Sequence, residues 1–154
     1  MFEELLRKEI RTFEKKMGLI QGAEKGLCKC CYEVSFLQCH MITEIGDSGQ
    51  ITAKELSKEL NVDKGFISRA LKDMKNKGYI RSEECESDKR WNFVSLTEKG
   101  KELYDDIKKE MWGYYSNIIS SILEDKREQV IESLILLNKS IPFHENNSKC
   151  GCKK

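Results

Sequence analysis

The stretch from Gln50 to Gly100 switches from helical to strand periodicity and back, with polar punctuation at each change, and few folds accommodate that order. Thr52 followed by Glu55 is a capping box, which opens a helix at about Ala53 that runs to Leu60 and is ended by Asn61. Asp63 is placed to cap the next helix, in which Phe66, Ile67, Ala70, Leu71 and Met74 supply the side turned to a core. Gly78 stops that helix. Tyr79 to about Glu84 and Trp91 to Leu96 then alternate as strands around a polar tip, Cys85 to Lys89. Two helices joined by a tight turn, a glycine stop and a hairpin make a winged helix-turn-helix, a shape suited to carrying its second helix into a DNA groove.

The flanking segments are helical by their spacing. Phe2, Leu5, Leu6, Ile10, Phe13, Met17 and Ile20 recur every three or four residues, which predicts an amphipathic helix from 2 to about 21, broken by Gly22 and Gly26. Val34, Leu37, Met41 and Ile45 line one face of a helix from about Glu33 to Ile45, and Gly46-Asp47-Ser48-Gly49 has the composition of a turn. Thr97 caps a long helix to about Leu123, striped by Leu103, Ile107, Met111, Tyr114, Ile118 and Ile122. Asp125 with Glu128 is a second capping box, opening a last helix that Pro142 ends. The first helix and the last two are too apolar on one face to stand alone in water. They are expected to pack on each other and on a second copy of the chain.

Composition narrows the class. Apolar residues make up 39% and charged residues 34%, with one proline, and no apolar run reaches membrane-spanning length. Met1-Phe2-Glu3-Glu4 lacks the layout of a signal peptide, so the expected location is the cytoplasm. A net charge of only +1 means that any affinity for nucleic acid must come from local charge. The two histidines lie far apart and no glycine-rich phosphate loop is present, which argues against an enzyme.

Three segments carry a family resemblance: Val34-Ser35-Phe36-Leu37-Gln38, then Asp63-Lys64-Gly65-Phe66-Ile67-Ser68-Arg69, then Asp88-Lys89-Arg90 followed by Leu96-Thr97-Glu98-Lys99-Gly100. In that order and spacing they resemble the MarR family of bacterial regulators over roughly residues 2 to 141. The resemblance implies an obligate homodimer of triangular, two-lobed shape that binds a palindromic double-stranded DNA operator and responds to a ligand or to thiol chemistry. It also implies an ion pair between Asp88 and the neighbouring arginine.

The DNA-facing candidates follow from charge. Residues 63 to 77 hold five positive and two negative charges, a local +3, with Lys64, Ser68, Arg69, Lys72 and Lys75 as the polar outward set. Gly65 gives the backbone room to approach DNA, and helix N-terminal amides bind phosphate. At the wing, Lys89 and Arg90 are the expected contacts, although Glu83, Glu84 and Glu86 leave residues 81 to 90 at −1. A solvated charged face is the plain alternative for any such lysine spacing.

Seven cysteines are unusual for a reducing compartment, where metal binding or redox chemistry explains thiols better than structural disulfides. Cys28, Cys30 and Cys31 form one cluster, and Cys150 and Cys152 lie on a lysine-bearing tail. Cys39 falls roughly opposite Leu37, off the main core face, and together with Cys85 it is also explicable as a small buried hydrophobe. Without two separated Cys-x-x-Cys pairs the set does not fit an ordinary zinc site. Three sulfurs suit a trigonal thiophilic species such as arsenite, which would act as inducer rather than resident cofactor. Peroxide or disulfide sensing is the other thiol chemistry open to this set, which can equally have no sensory role. His40 is expected inside, hydrogen-bonded.

Taken together, these features give a mainly α fold with a small β-wing, a winged helix-turn-helix flanked by a helical dimerisation lobe. Residues 33–96 are the DNA-binding domain, 1–27 and 97–141 the dimerisation region, and 142–154 a cysteine-containing tail. The function expected is a sequence-specific transcriptional regulator of the repressor kind, controlled by a thiophilic metal or metalloid or by thiol oxidation. One alternative is a thiol-rich metal-binding protein whose winged helix serves protein contacts. Another is a multidrug-type regulator with Trp112, Tyr114, Tyr115 and Phe36 around an apolar pocket between the lobes.

Overall fold

The computed structural model describes residues 1–18, 34–84 and 92–142. Six helices and a three-stranded sheet follow in the order α1 Phe2–Lys16, α2 Phe36–Ser48, β1 Ile51–Thr52, α3 Ala53–Glu59, α4 Lys64–Asn76, β2 Ile80–Glu84, β3 Asn92–Leu96, α5 Glu98–Ser120 and α6 Glu124–Ser140. The sheet is antiparallel with β3 in the centre, pairing Ile51 with Val94 on one side and Ile80 with Leu96 through to Glu84 with Asn92 on the other.

Local chemistry sets most of the helix starts. Ser35 accepts from Gln38 N at 3.2 Å while Gln38 Oε1 accepts from Ser35 N at 2.9 Å, a full capping box opening α2. Thr52 and Glu55 do the same for α3. Asp63 Oδ1 accepts from Gly65 N at 2.7 Å to start α4, and Thr97 Oγ1 accepts from Gly100 N at 3.1 Å to start α5. Each such cap contributes about 1 kcal/mol.

Several expectations need correction. The first helix stops at Lys16, because Gly18 takes a left-handed φ of 71°. Residues 46–48 are not a turn but the last turn of α2. Gly46 belongs inside that helix because the Tyr104 ring of α5 lies against it, where a Cβ would overlap the ring. Ile51 and Thr52 form an unforeseen strand. At α6 the N-cap is Leu123, with no side-chain cap bond; Asp125 sits inside the first turn, where its charge still favours the helix dipole.

The core lies under the sheet. Met41, Ile42 and Ile45 of α2, Leu56 of α3, and Ile67 and Met74 of α4 are fully buried, joined by Val94, Leu96 and Ile107. Cys39 is part of this core rather than off its face, and His40 is exposed, with the Phe36 ring edge-on at 4.5 Å. The helix α2 is apolar over more of its circumference than a single stripe suggests, since β3, α4 and α5 all pack against it.

The end of α4 and the start of β2 are tied to the start of α5. Thr97 Oγ1 donates to Gly78 O at 2.6 Å, Thr97 N donates to Tyr79 O at 3.0 Å, and Lys99 Nζ donates to Lys77 O at 2.9 Å. Gly100 packs so tightly beneath that a methyl group there would overlap the Tyr79 carbonyl oxygen. Further along, Asp47 at the end of α2 accepts from the Tyr104 hydroxyl and from Lys108 Nζ, which hold its carboxyl below the usual carboxylate range.

Beyond Ile107 the burial stops. Among the described residues, α1 and α6 bury no side chain and α5 buries none past Ile107. Trp112 is 80% exposed, and Phe2, Phe13, Ile131, Leu134 and Ile135 also face outward. An apolar groove of about 550 Å³ runs between these helices, lined by Phe13, Trp112, Tyr115, Ile119, Val130 and Leu134. Of the four aromatics expected together, Trp112 and Tyr115 line this groove, while Phe36 and Tyr114, whose hydroxyl donates to Met17 Sδ, are not among its lining residues.

Candidate nucleic-acid interface

Helix α4 is anchored on one side and open on the other. Ile67 and Met74 are fully buried, with Ala70 and Leu71 half-buried beside them, and this inner stripe fixes the rotation of the helix. Lys64, Ser68, Arg69, Lys72 and Lys75 consequently all stand exposed on its outer side, as their spacing requires. The turn before α4 is held by Ser57 Oγ, which donates to Val62 O at 2.7 Å, and by Asn61 at a φ of 50°.

Both carboxylates of α4 are turned to structural use. Asp63 caps the helix. Asp73 accepts from Lys77 Nζ at 2.8 Å and from Gln38 Nε2 at 2.6 Å, contacts that lower its pKa below the ordinary value, Lys77 first. Among the described residues, Lys64, Lys72 and Lys75 make no ion pair. The outer face of α4 is therefore more cationic than its charge count states, because its negative charges are spent on the inner side and the ends.

Gly65 is half-buried and does more than admit a neighbour. A Cβ there would stand 3.0 Å from Asp63 Oδ1 and 3.6 Å from Arg69 Nη1, so a side chain would press on the cap itself. Phe66, expected in the core, is instead exposed, and the Arg69 guanidinium lies 4.7 Å from its ring centroid. Sequence spacing missed this because Phe66 sits at the edge of the buried stripe, one residue before Ile67. It also missed Gln38, whose buried amide ties the start of α2 to α4; its position three residues after Ser35 was the available signal.

The wing is described only at its base, where Arg81 donates to Ser95 Oγ and pairs with Glu83. Lys89, Arg90 and the expected Asp88 ion pair lie outside the described residues, as do Cys28, Cys30, Cys31, Cys85, Cys150 and Cys152. Among the described residues no three His, Cys, Asp or Glu side chains converge as a metal site.

A helix-turn-helix with an outward cationic second helix and a hairpin beside it defines a winged-helix DNA-binding protein. The MarR family model matches residues 32–90, from just before α2 to beyond β2. YdgJ of Bacillus subtilis, named as an HTH-type transcriptional regulator, is 24% identical over 125 residues, covering 79% of this chain and 76% of its own. A MarR transcriptional regulator from Methanosarcina mazei superposes with a TM-score of 0.71 at 27% identity, over 89% of this chain and 96% of that one. Streptococcus pneumoniae FabT, solved in complex with DNA, superposes with a TM-score of 0.74 at 22% identity, over 91% and 96% of the two chains. With these likenesses the chain is a DNA-binding transcriptional regulator of the MarR type.

The outward cations generate a direct prediction. Replacing Arg69 and Lys72 together by alanine removes two exposed charges and no core contact, so the circular dichroism spectrum should be unchanged while operator binding is lost in a gel shift. Parental binding by this variant would show that α4 is not the recognition element.

Proposed function

We propose that the chain acts as a homodimeric repressor in which each copy lays α4 into one half of a palindromic operator. The observation that carries this is the pairing of an outward cationic α4 with an uncovered apolar face on α1, α5 and α6 in the same chain. The helix α5, at 23 residues, spans about 34 Å and leads from the recognition unit to that apolar face. Two copies joined there would hold their α4 helices apart for half-sites about one DNA turn, 34–36 Å, from each other. The residues 33–96 form the DNA-binding part in this account, and 1–27 with 97–141 form the dimerisation part.

Thiol control of the operator is the second part of the proposal. Cys28, Cys30 and Cys31 lie four to seven positions before Ser35 in sequence, and the Ser35–Gln38 capping box is bonded through Gln38 to Asp73 on α4. A thiophilic metal or metalloid bound by that cluster, with Cys150 or Cys152 supplying a further sulfur, would tie the chain entering α2 and so shift α4. Cys39 is packed in the core and is left out of this ligand set.

Dimerisation is tested by Ile131→Asp and by Leu134→Asp. Either places an unpaired carboxylate in an apolar interface, at a cost on the order of several kcal/mol. Both variants should sediment at the mass of one chain and lose operator affinity. Sedimentation at the parent's dimer mass would contradict the assignment of this face. For the thiols, arsenite or zinc should release the operator from the parent and not from a Cys30→Ser, Cys31→Ser double variant. Equal release from both proteins, or from neither, would dismiss thiol control.

A further inference from the structure

Phe66, the third residue of α4, is 58% exposed while Ile67 beside it is fully buried. The Arg69 guanidinium lies over its ring, 4.7 Å from the centroid. A Cβ at Gly65 would press on the Asp63 cap at 3.0 Å and would only touch the Arg69 guanidinium, at 3.6 Å. Isolated exposed apolar residues are ordinary on protein surfaces. This one differs in position, because it lies at the N-terminal end of the recognition helix among Lys64, Ser68 and Arg69, where such helices meet base edges.

We propose that Phe66 reads sequence: its ring packs on the 5-methyl group of a thymine in the major groove, and its face holds Arg69 for two hydrogen bonds to a neighbouring guanine. The proposal rests on α4 being the element that enters the groove. The thymine methyl is the apolar group that the major groove displays, and contact with an apolar side chain is how it is recognised. Guanine N7 and O6 are two acceptors matched by the fork of an arginine. A cation–π contact uses the face of the guanidinium and leaves its N–H edge free, so stacking on Phe66 removes side-chain freedom without consuming a donor. Lysines on the same helix supply affinity for phosphates of any sequence. Phe66 and Arg69 supply discrimination.

The test uses an operator selected from random-sequence duplexes, with each thymine replaced in turn by deoxyuridine, which lacks only the methyl group. The parent should weaken about fourfold at one position in each half-site, the loss expected for one buried methyl group. Phe66→Ala should bind the unmodified duplex more weakly and show no further loss with deoxyuridine. Phe66→Leu should keep the methyl response but discriminate less between guanine and 7-deazaguanine at the adjacent position, because leucine offers no ring face to Arg69. An exposed side chain makes these variants fold as the parent does, which circular dichroism checks. A parent insensitive to deoxyuridine throughout, or an equal response in the parent and Phe66→Ala, would overturn the proposal. That failure would leave α4 in the groove so long as the Arg69→Ala, Lys72→Ala variant still loses binding; parental binding by the latter would remove both.

Discussion

The junction at Thr97 is the constraint on which the rest of the molecule depends. One threonine caps α5, donates its hydroxyl to Gly78 O and hangs its backbone from Tyr79 O, while Gly100 allows α5 to press against the same carbonyl. The end of α4, the start of β2, the end of β3 and the start of α5 thus meet within a few residues. Gly78, at a φ of 78°, is the position where the chain can reverse sharply enough to bring them together. Because α4 is fixed there and α5 leaves from there, the direction of the recognition helix and the direction of the long helix are not independent. The Asp47, Tyr104 and Lys108 contacts then fasten α2 to α5 a few turns further on.

The electrostatic design is local rather than global. A chain with a net charge of +1 has no long-range pull on DNA, yet α4 offers an outward row of cations because Asp63 and Asp73 face the cap, Gln38 and Lys77. Spending carboxylates on structure at the inner edge of a helix leaves the outer edge to the partner. The same economy appears in Gln38, which caps its own helix with one end of its amide and holds Asp73 with the other.

Whatever depended on neighbours in sequence was legible beforehand. The Thr52–Glu55 box, the Asp63 cap, the Gly78 stop and the Thr97 cap are interactions between residues two or three apart or a single backbone requirement, and each stands where the spacing placed it. What depended on distant contacts was not. Gly46 reads as a turn residue until the Tyr104 ring supplies the reason for a glycine in a helix. Cys39 reads as off the core until α2 is seen to be enclosed on several sides, and Phe66 reads as core although its rotation leaves it outside. The apolar faces of α1, α5 and α6 were evident from periodicity alone, and they remain uncovered in a single chain.

Two α4 helices entering successive major grooves is the central claim, and guanine N7 lies on the floor of that groove. Methylation interference with dimethyl sulfate on a selected duplex tests it most directly. The account predicts two clusters of interfering guanines on one face of the duplex, about 10 base pairs apart and symmetric about the operator centre. A single cluster, or binding indifferent to N7 methylation throughout, would contradict it.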